Sequence, residues 1–214
     1  MQKVYFISGL GANEKAFQYL ELPGIEPVYL TWMPPLQNET MQQYAQRMAD
    51  RITEPNPLLV GLSFGGMLSI EIAKLINTKK IILISSAKCR KEIPSYFRLC
   101  KYIPFHKLLP IRLMTKDGFL FRFVFSLKSS SMQKTMKNIM SDEVKGFNKW
   151  GVNCVVNWNN NSIPNNVIHI HGTADKLLPY RFVHADYTIK DGTHFMIGVK
   201  AKEISKILMK EFLS

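Results

Sequence analysis

The sequence predicts an α/β fold: three layers, with a mostly parallel six-stranded sheet and helices on both of its faces. Three observations predict it. Short apolar runs alternate with helix-period segments along most of the chain, the pattern of βαβ units. Several of these runs are apolar at successive positions instead of alternating, as strands covered on both faces must be. Finally, 46% of the 214 residues are apolar, enough for one sizeable core.

The strands are expected at 3–8 (KVYFIS), 26–31 (EPVYLT), 58–62 (LLVGL), 80–86 (KIILISS), 166–170 (NVIHI) and 186–190 (DYTIK). Each is a short apolar or β-branched run bounded by turn residues. Between them, Asn13 is placed to cap a helix starting near Glu14, and Thr40 one running to about Ile52. Met41, Tyr44, Met48 and Ile52 recur there at helical spacing. An apolar helix is expected from Phe64 to Ile76. A closing helix is expected over 196–213, with Ile197, Ile204, Ile207 and Leu208 on its buried face.

Residues 88–150 break the alternation. Pro94, Pro104 and Pro110 interrupt it, Phe119, Phe121, Phe123 and Phe125 alternate within it, and Met132–Met140 turns helical again. It is too long for a plain crossover and is read as a small, mostly helical cap. The chain then divides into a first core part (1–87), the cap (88–150) and a second core part (151–214).

Charge is concentrated in the same place. The formal net charge is +12, and residues 88–137 hold twelve Lys or Arg against Glu92 and Asp117. Such a region either steers an anionic substrate, touches an anionic membrane surface, or simply solubilises a face. Zinc-finger spacing and ribonucleoprotein motifs are missing, so no nucleic-acid partner is expected. Cys89, Cys100 and Cys154 show no C-x-x-C spacing and point to neither a disulfide scaffold nor a metal site. The start MQKVYFISGL lacks the form of a secretory signal, and no run of eighteen apolar residues occurs, so a cytoplasmic location is expected.

Ligands of a parallel α/β sheet bind beyond the carboxyl ends of its strands. Three loops there carry chemistry. Gly61-Leu62-Ser63-Phe64-Gly65 fits G-x-S-x-G. Five residues alone prove little, but this set follows an apolar strand and opens an apolar helix, as a sharp turn exposing a nucleophilic hydroxyl requires. His171-Gly172-Thr173-Ala174-Asp175 places a carboxylate at the end of the fifth strand. Asp191-Gly192-Thr193-His194-Phe195 places a histidine after the sixth. His194 between Asp175 and Ser63 would take the serine proton during attack and return it to the leaving group. Asp191, three residues before His194, is a rival acid. His169 and His171, two apart on a strand, face one way as metal ligands can, but nothing in the sequence completes such a site.

The order Ser63, Asp175, His194, with these motifs and the strand pattern, resembles the α/β-hydrolase superfamily over most of the chain outside 88–150. The resemblance implies a serine hydrolase working through an acyl-enzyme, carboxylesterase- or lipase-like, with no cofactor and no metal. It implies an oxyanion hole of two backbone amides, from Phe64 and from Leu10. Ser8-Gly9 stands where many members have His-Gly, which leaves that loop's hydrogen bonding open. The two outer strands that often open the family's sheet are missing, which sets the first strand inside it. Trp32, Met33, Met67 and Met196 lie near the site and form a candidate apolar pocket for a small acyl-bearing or anionic substrate. Thioesterase or amidase/peptidase action on the same triad, and an inactive binding protein on the same scaffold, are the rival readings. The oligomeric state is not legible.

Overall fold

Six strands hydrogen-bond into one sheet in the order β2-β1-β3-β4-β5-β6, every neighbouring pair parallel. They are β1 (Gln2–Ile7), β2 (Ile25–Tyr29), β3 (Leu58–Leu62), β4 (Lys80–Ile84), β5 (Val167–Gly172) and β6 (Tyr187–Ile189). The description comes from a computed structural model and covers residues 1–97, 126, 129–140, 144 and 146–213. All six expected strands form, and the first lies inside the sheet. Pro27 sits on β2, at the edge, where one side of the strand needs no ladder partner.

Helices cover both faces. On one face pack α1 (Met41–Ala49), α2 (Phe64–Ile72) and α4 (Phe147–Asn157), around Tyr44, Met48, Leu68, Ile70 and Phe147. The other face carries a 3₁₀ turn (Glu14–Phe17), α3 (Ser130–Ile139), α5 (Met196–Val199) and α6 (Ala201–Leu213). Thr40 caps α1 in a full capping box with Gln43, and the Asn13 side chain accepts from the Lys15 amide. All nine residues of α2 are buried, so this helix lies against the sheet with no solvent face.

The differences from expectation are local. α2 stops at Ile72 and dissolves into turns, and α1 ends at Ala49 with tightened Met48–Arg51 and Ala49–Ile52 bonds. β4 ends at Ile84 because Ser85 takes φ 49°, outside strand geometry. The closing helix is two helices, broken at Lys200, whose carbonyl accepts the amides of Glu203 and Ile204 and restarts the ladder. The run of Phe119, Phe121, Phe123 and Phe125, and Cys100, fall outside the described residues. The described part of 88–150 is tied to the core: Met140 forms an antiparallel bridge with Ala12, and α4 runs through residue 150. Cys89 and Cys154 are buried free thiols. No helix among the described residues is long and apolar enough to cross a membrane.

β5 also buries two histidines, His169 and His171, both fully out of solvent. Burial pushes the His169 imidazole well below its ordinary value, with His171 and Lys88 acting in the same direction. Burial lowers His171 too, with Asp175 partly opposing. The unfolded chain protonates these rings as the pH drops through about 6.5, while the folded chain does not. The stabilisation is therefore complete above that pH and is lost as the pH falls toward the depressed folded values. Urea unfolding should show stability falling below about pH 6.5, by up to about 1.4 kcal/mol per pH unit for each excluded proton. A midpoint unchanged between neutral pH and about pH 5.5 would contradict two buried neutral rings.

Candidate active site

Ser63 is the turn between β3 and α2. Its backbone has φ 53° and ψ −118°, a conformation that costs a non-glycine residue about 1–3 kcal/mol. The surroundings over-determine it. The Ser63 amide donates to Ile84 O at 2.9 Å, and its carbonyl accepts from the Gly66 amide at 3.0 Å and from Ser86 Oγ at 2.6 Å. Strand and helix approach so closely that side chains are excluded. A Cβ at Gly61 would strike the Gly66 backbone, and one at Gly65 would strike the carbonyl oxygens of Ile7 and Ser8. The crossing leaves the Ser63 side chain as the one that projects at the carboxyl edge.

Ser63 Oγ lies 2.9 Å from His194 Nε2, and His194 Nδ1 lies 2.8 Å from Asp175 Oδ2. An ionised carboxylate only accepts, so Nδ1 carries the proton and Nε2 is the acceptor facing the serine hydroxyl. Asp175 Oδ1 accepts from the amides of Leu177 at 2.8 Å and Leu178 at 2.9 Å. Asp175 and His194 are each 4% exposed. Burial works to raise the Asp175 carboxyl, but His194, His171 and the Leu178 amide outweigh it and hold the group below its ordinary value. The loops of Asp175 and His194 are themselves joined: the Ala174 amide donates to Gly192 O at 2.9 Å, and a side chain at Gly172 would collide with that carbonyl.

The loop after β1 lies beside the elbow, with Gly9 against the Ser63 Cβ. It is closed by the Ala12 amide on Gly9 O at 3.0 Å and by Ser8 Oγ on Ala12 O at 2.7 Å. Trp32 Nε1 donates to Ala12 O at 2.9 Å. Ser8 thus supplies a side-chain clamp of its own at the position where a histidine was the family expectation. Two elements grip the loop from outside: the Asn13 amide donates to Ile139 O at 3.0 Å, and Leu10 packs onto Gly151 of α4. Leu10 is a central residue of this turn, and Phe64 is the first residue of α2. Neither amide is used by its own turn or helix ladder.

The structure brings Ser63, His194 and Asp175 into one line and sets Phe64 and the Leu10 loop beside them. The four expected pocket residues do not stay together. Trp32 and Met33 are half-buried, with Trp32 ringed by Phe64 and Phe147 at 5.8 and 4.6 Å. Met67 and Met196 are core residues on opposite faces of the sheet. A separate cleft of about 130 Å³, lined by Phe6, Phe17, Tyr29 and Trp32, lies to the β2 side and does not include Ser63 or His194. Asp191, the rival acid, takes φ 57° and gives its amide to Thr173 Oγ1. Its task is the turn. No cluster of three or more His, Cys, Asp or Glu suited to a metal occurs among the described residues. Ser86, which clamps the elbow, carries no motif. Its place after β4, beside the serine, was the only signal.

Gly65→Ala should cost about 2–3 kcal/mol, since the new methyl meets backbone that cannot step aside. Denaturant unfolding measures this, and wild-type stability would contradict the close crossing.

No family model matches the sequence, and no curated protein matches it. Solved structures do. A lipase-esterase related protein from Clostridium acetobutylicum ATCC 824 superposes with a TM-score of 0.67 at 19% identity, over 98% of this chain and 93% of that one. A bromoperoxidase from Bacillus anthracis gives 0.72 at 15% identity, and an esterase from Exiguobacterium antarcticum 0.72 at 14%. Each of these two is matched over 100% of this chain and 92% of that one. With the parallel sheet, the serine elbow and the acid and histidine loops after β5 and β6, the likeness settles the architecture: the chain has the α/β-hydrolase fold.

Proposed function

We propose that this protein is a serine hydrolase that cleaves ester-type bonds through an acyl-enzyme. The observation that carries the reading is the unbroken line from the strained Ser63 hydroxyl through His194 to the buried Asp175 carboxylate. A surface serine has no use for a 2.9 Å bond to a buried imidazole whose other nitrogen is fixed by a carboxylate.

The steps follow from the geometry. Ser63 Oγ attacks the substrate carbonyl carbon as its proton passes to His194 Nε2. Asp175 stabilises the imidazolium that forms without taking its proton. The amides of Phe64 and Leu10 receive the oxyanion. His194 then returns its proton to the leaving alcohol, and the acyl group stays on Ser63. Water attacks next, giving a proton to His194 while the acid leaves and Ser63 regains its own. Trp32, packed against Phe64 of the elbow, supplies an apolar wall that favours a small acyl-bearing substrate. The basic residues of 88–150, read as a cap, favour an anionic substrate or surface.

A panel of 4-nitrophenyl esters, acyl thioesters and anilides orders the preference among ester, thioester and amide bonds. A fluorophosphonate probe should label Ser63, read by intact mass and peptide mapping, and Ser63→Ala should abolish the label. Asp175→Asn should lower kcat by about 10³–10⁴-fold, because the amide no longer holds the tautomer that leaves Nε2 free. Hydrolysis that survives Ser63→Ala would overturn the mechanism.

A further inference from the structure

His171 takes no part in the mechanism above, yet it lies against the triad acid. β5 turns the side chains of His169 and His171 to the same side, both fully buried. His171 Nε2 lies 2.8 Å from the Leu178 carbonyl. A carbonyl only accepts, so Nε2 carries a proton. In the neutral ring Nδ1 is then bare, and it faces His169 Nε2 at 3.1 Å, which must donate. One carbonyl therefore sets the tautomers of both rings.

The same His171 Nε2 lies 3.4 Å from Asp175 Oδ2, the oxygen that accepts from His194. The amide of Leu178 meanwhile holds Asp175 Oδ1. Asp175, Leu178 and His171 thus close a ring of contacts in which both carboxylate oxygens are met. Other charged or titratable groups face the network. Glu92 Oε2 is 4.0 Å from His169 Nδ1, and Lys88 Nζ is 3.9 Å from Glu92 Oε1. Asp186 accepts the His169 amide, and the Tyr180 ring centroid is 6.4 Å from that of His171. Of all these, His171 is the group that reaches the oxygen shared with His194.

We propose that His171 is a positioning residue, whose Nε2, fixed by its N–H on the Leu178 carbonyl, stands beside Asp175 Oδ2 and holds that oxygen against His194. The inference rests on the triad reading. The N–H offsets part of the Asp175 charge. Without it, the Asp175 charge is less compensated, and the carboxylate pairs more strongly with the imidazolium formed during attack.

Three variants separate this role from mere packing. His171→Phe keeps a ring and loses both nitrogens. His171→Asn keeps a polar group too short to reach Leu178 O. His171→Gln keeps an N–H near the Nε2 position. The pH profile of kcat/KM on 4-nitrophenyl acetate is the readout. His171→Phe and His171→Asn should shift the acid limb upward by about half a unit and lower kcat about tenfold at unchanged KM, and His171→Gln should restore the wild-type limb. If His171→Phe does not fold, the Asn and Gln pair gives the same comparison. Identical acid limbs in Asn and Gln variants would refute the proposal. Wild-type protein that neither hydrolyses the ester nor labels at Ser63 would instead sink the triad reading beneath it.

Discussion

The crossing of β3 over the start of α2 is the constraint on which the rest depends. Gly61, Gly65 and Gly66 let strand and helix touch backbone to backbone, and Ser63 is left in a conformation with φ 53° that it would not hold alone. Four hydrogen bonds, from Gly66, Met67 and Ser86 to its carbonyl and from its amide to Ile84, keep it there. The strain is stored in a single residue and supported by the sheet. Because every strand is parallel, the loops after β1, β3, β5 and β6 all emerge at one edge, and the serine, the acid, the histidine and the amides meet there without any long-range design beyond strand direction.

Electrostatics decides what the line of three residues can do. Asp175 is nearly sealed from water, a setting that alone would favour its neutral form. Two amides and two imidazoles face it, and they win, so it remains an anion at the pH where a base is needed. An anion there fixes the His194 tautomer, and the tautomer frees Nε2 for the serine. The chain of cause runs from burial to charge, from charge to proton position, and from proton position to nucleophile.

Much of this was legible in the sequence. The six strands read out as short apolar runs because both faces of the sheet are covered, and Ser63, Asp175 and His194 sat at the ends of three of them. What was not legible depends on side-chain direction. Met67 and Met196 adjoin the elbow and the histidine in sequence, but their side chains enter the core on opposite faces of the sheet. Lys200 breaks the last helix with neither proline nor glycine at the break, so periodicity ran straight through it. His171 looked like half of a metal site. Its partner is a carbonyl seven residues on, and no spacing rule reveals that. Ser8 replaced an expected histidine, and its hydroxyl turned out to close the loop itself.

The central claim is that His194 and Asp175 make Ser63 a nucleophile that carries an acyl group. Rapid acid quench after mixing the protein with 4-nitrophenyl butyrate, followed by intact mass and peptide mapping, tests it most directly. The account predicts one butyryl group on the peptide containing Ser63 in the wild type, and none within the same time in His194→Ala. Turnover of the ester with no acyl group trapped at Ser63, or equal acylation in His194→Ala, would contradict it.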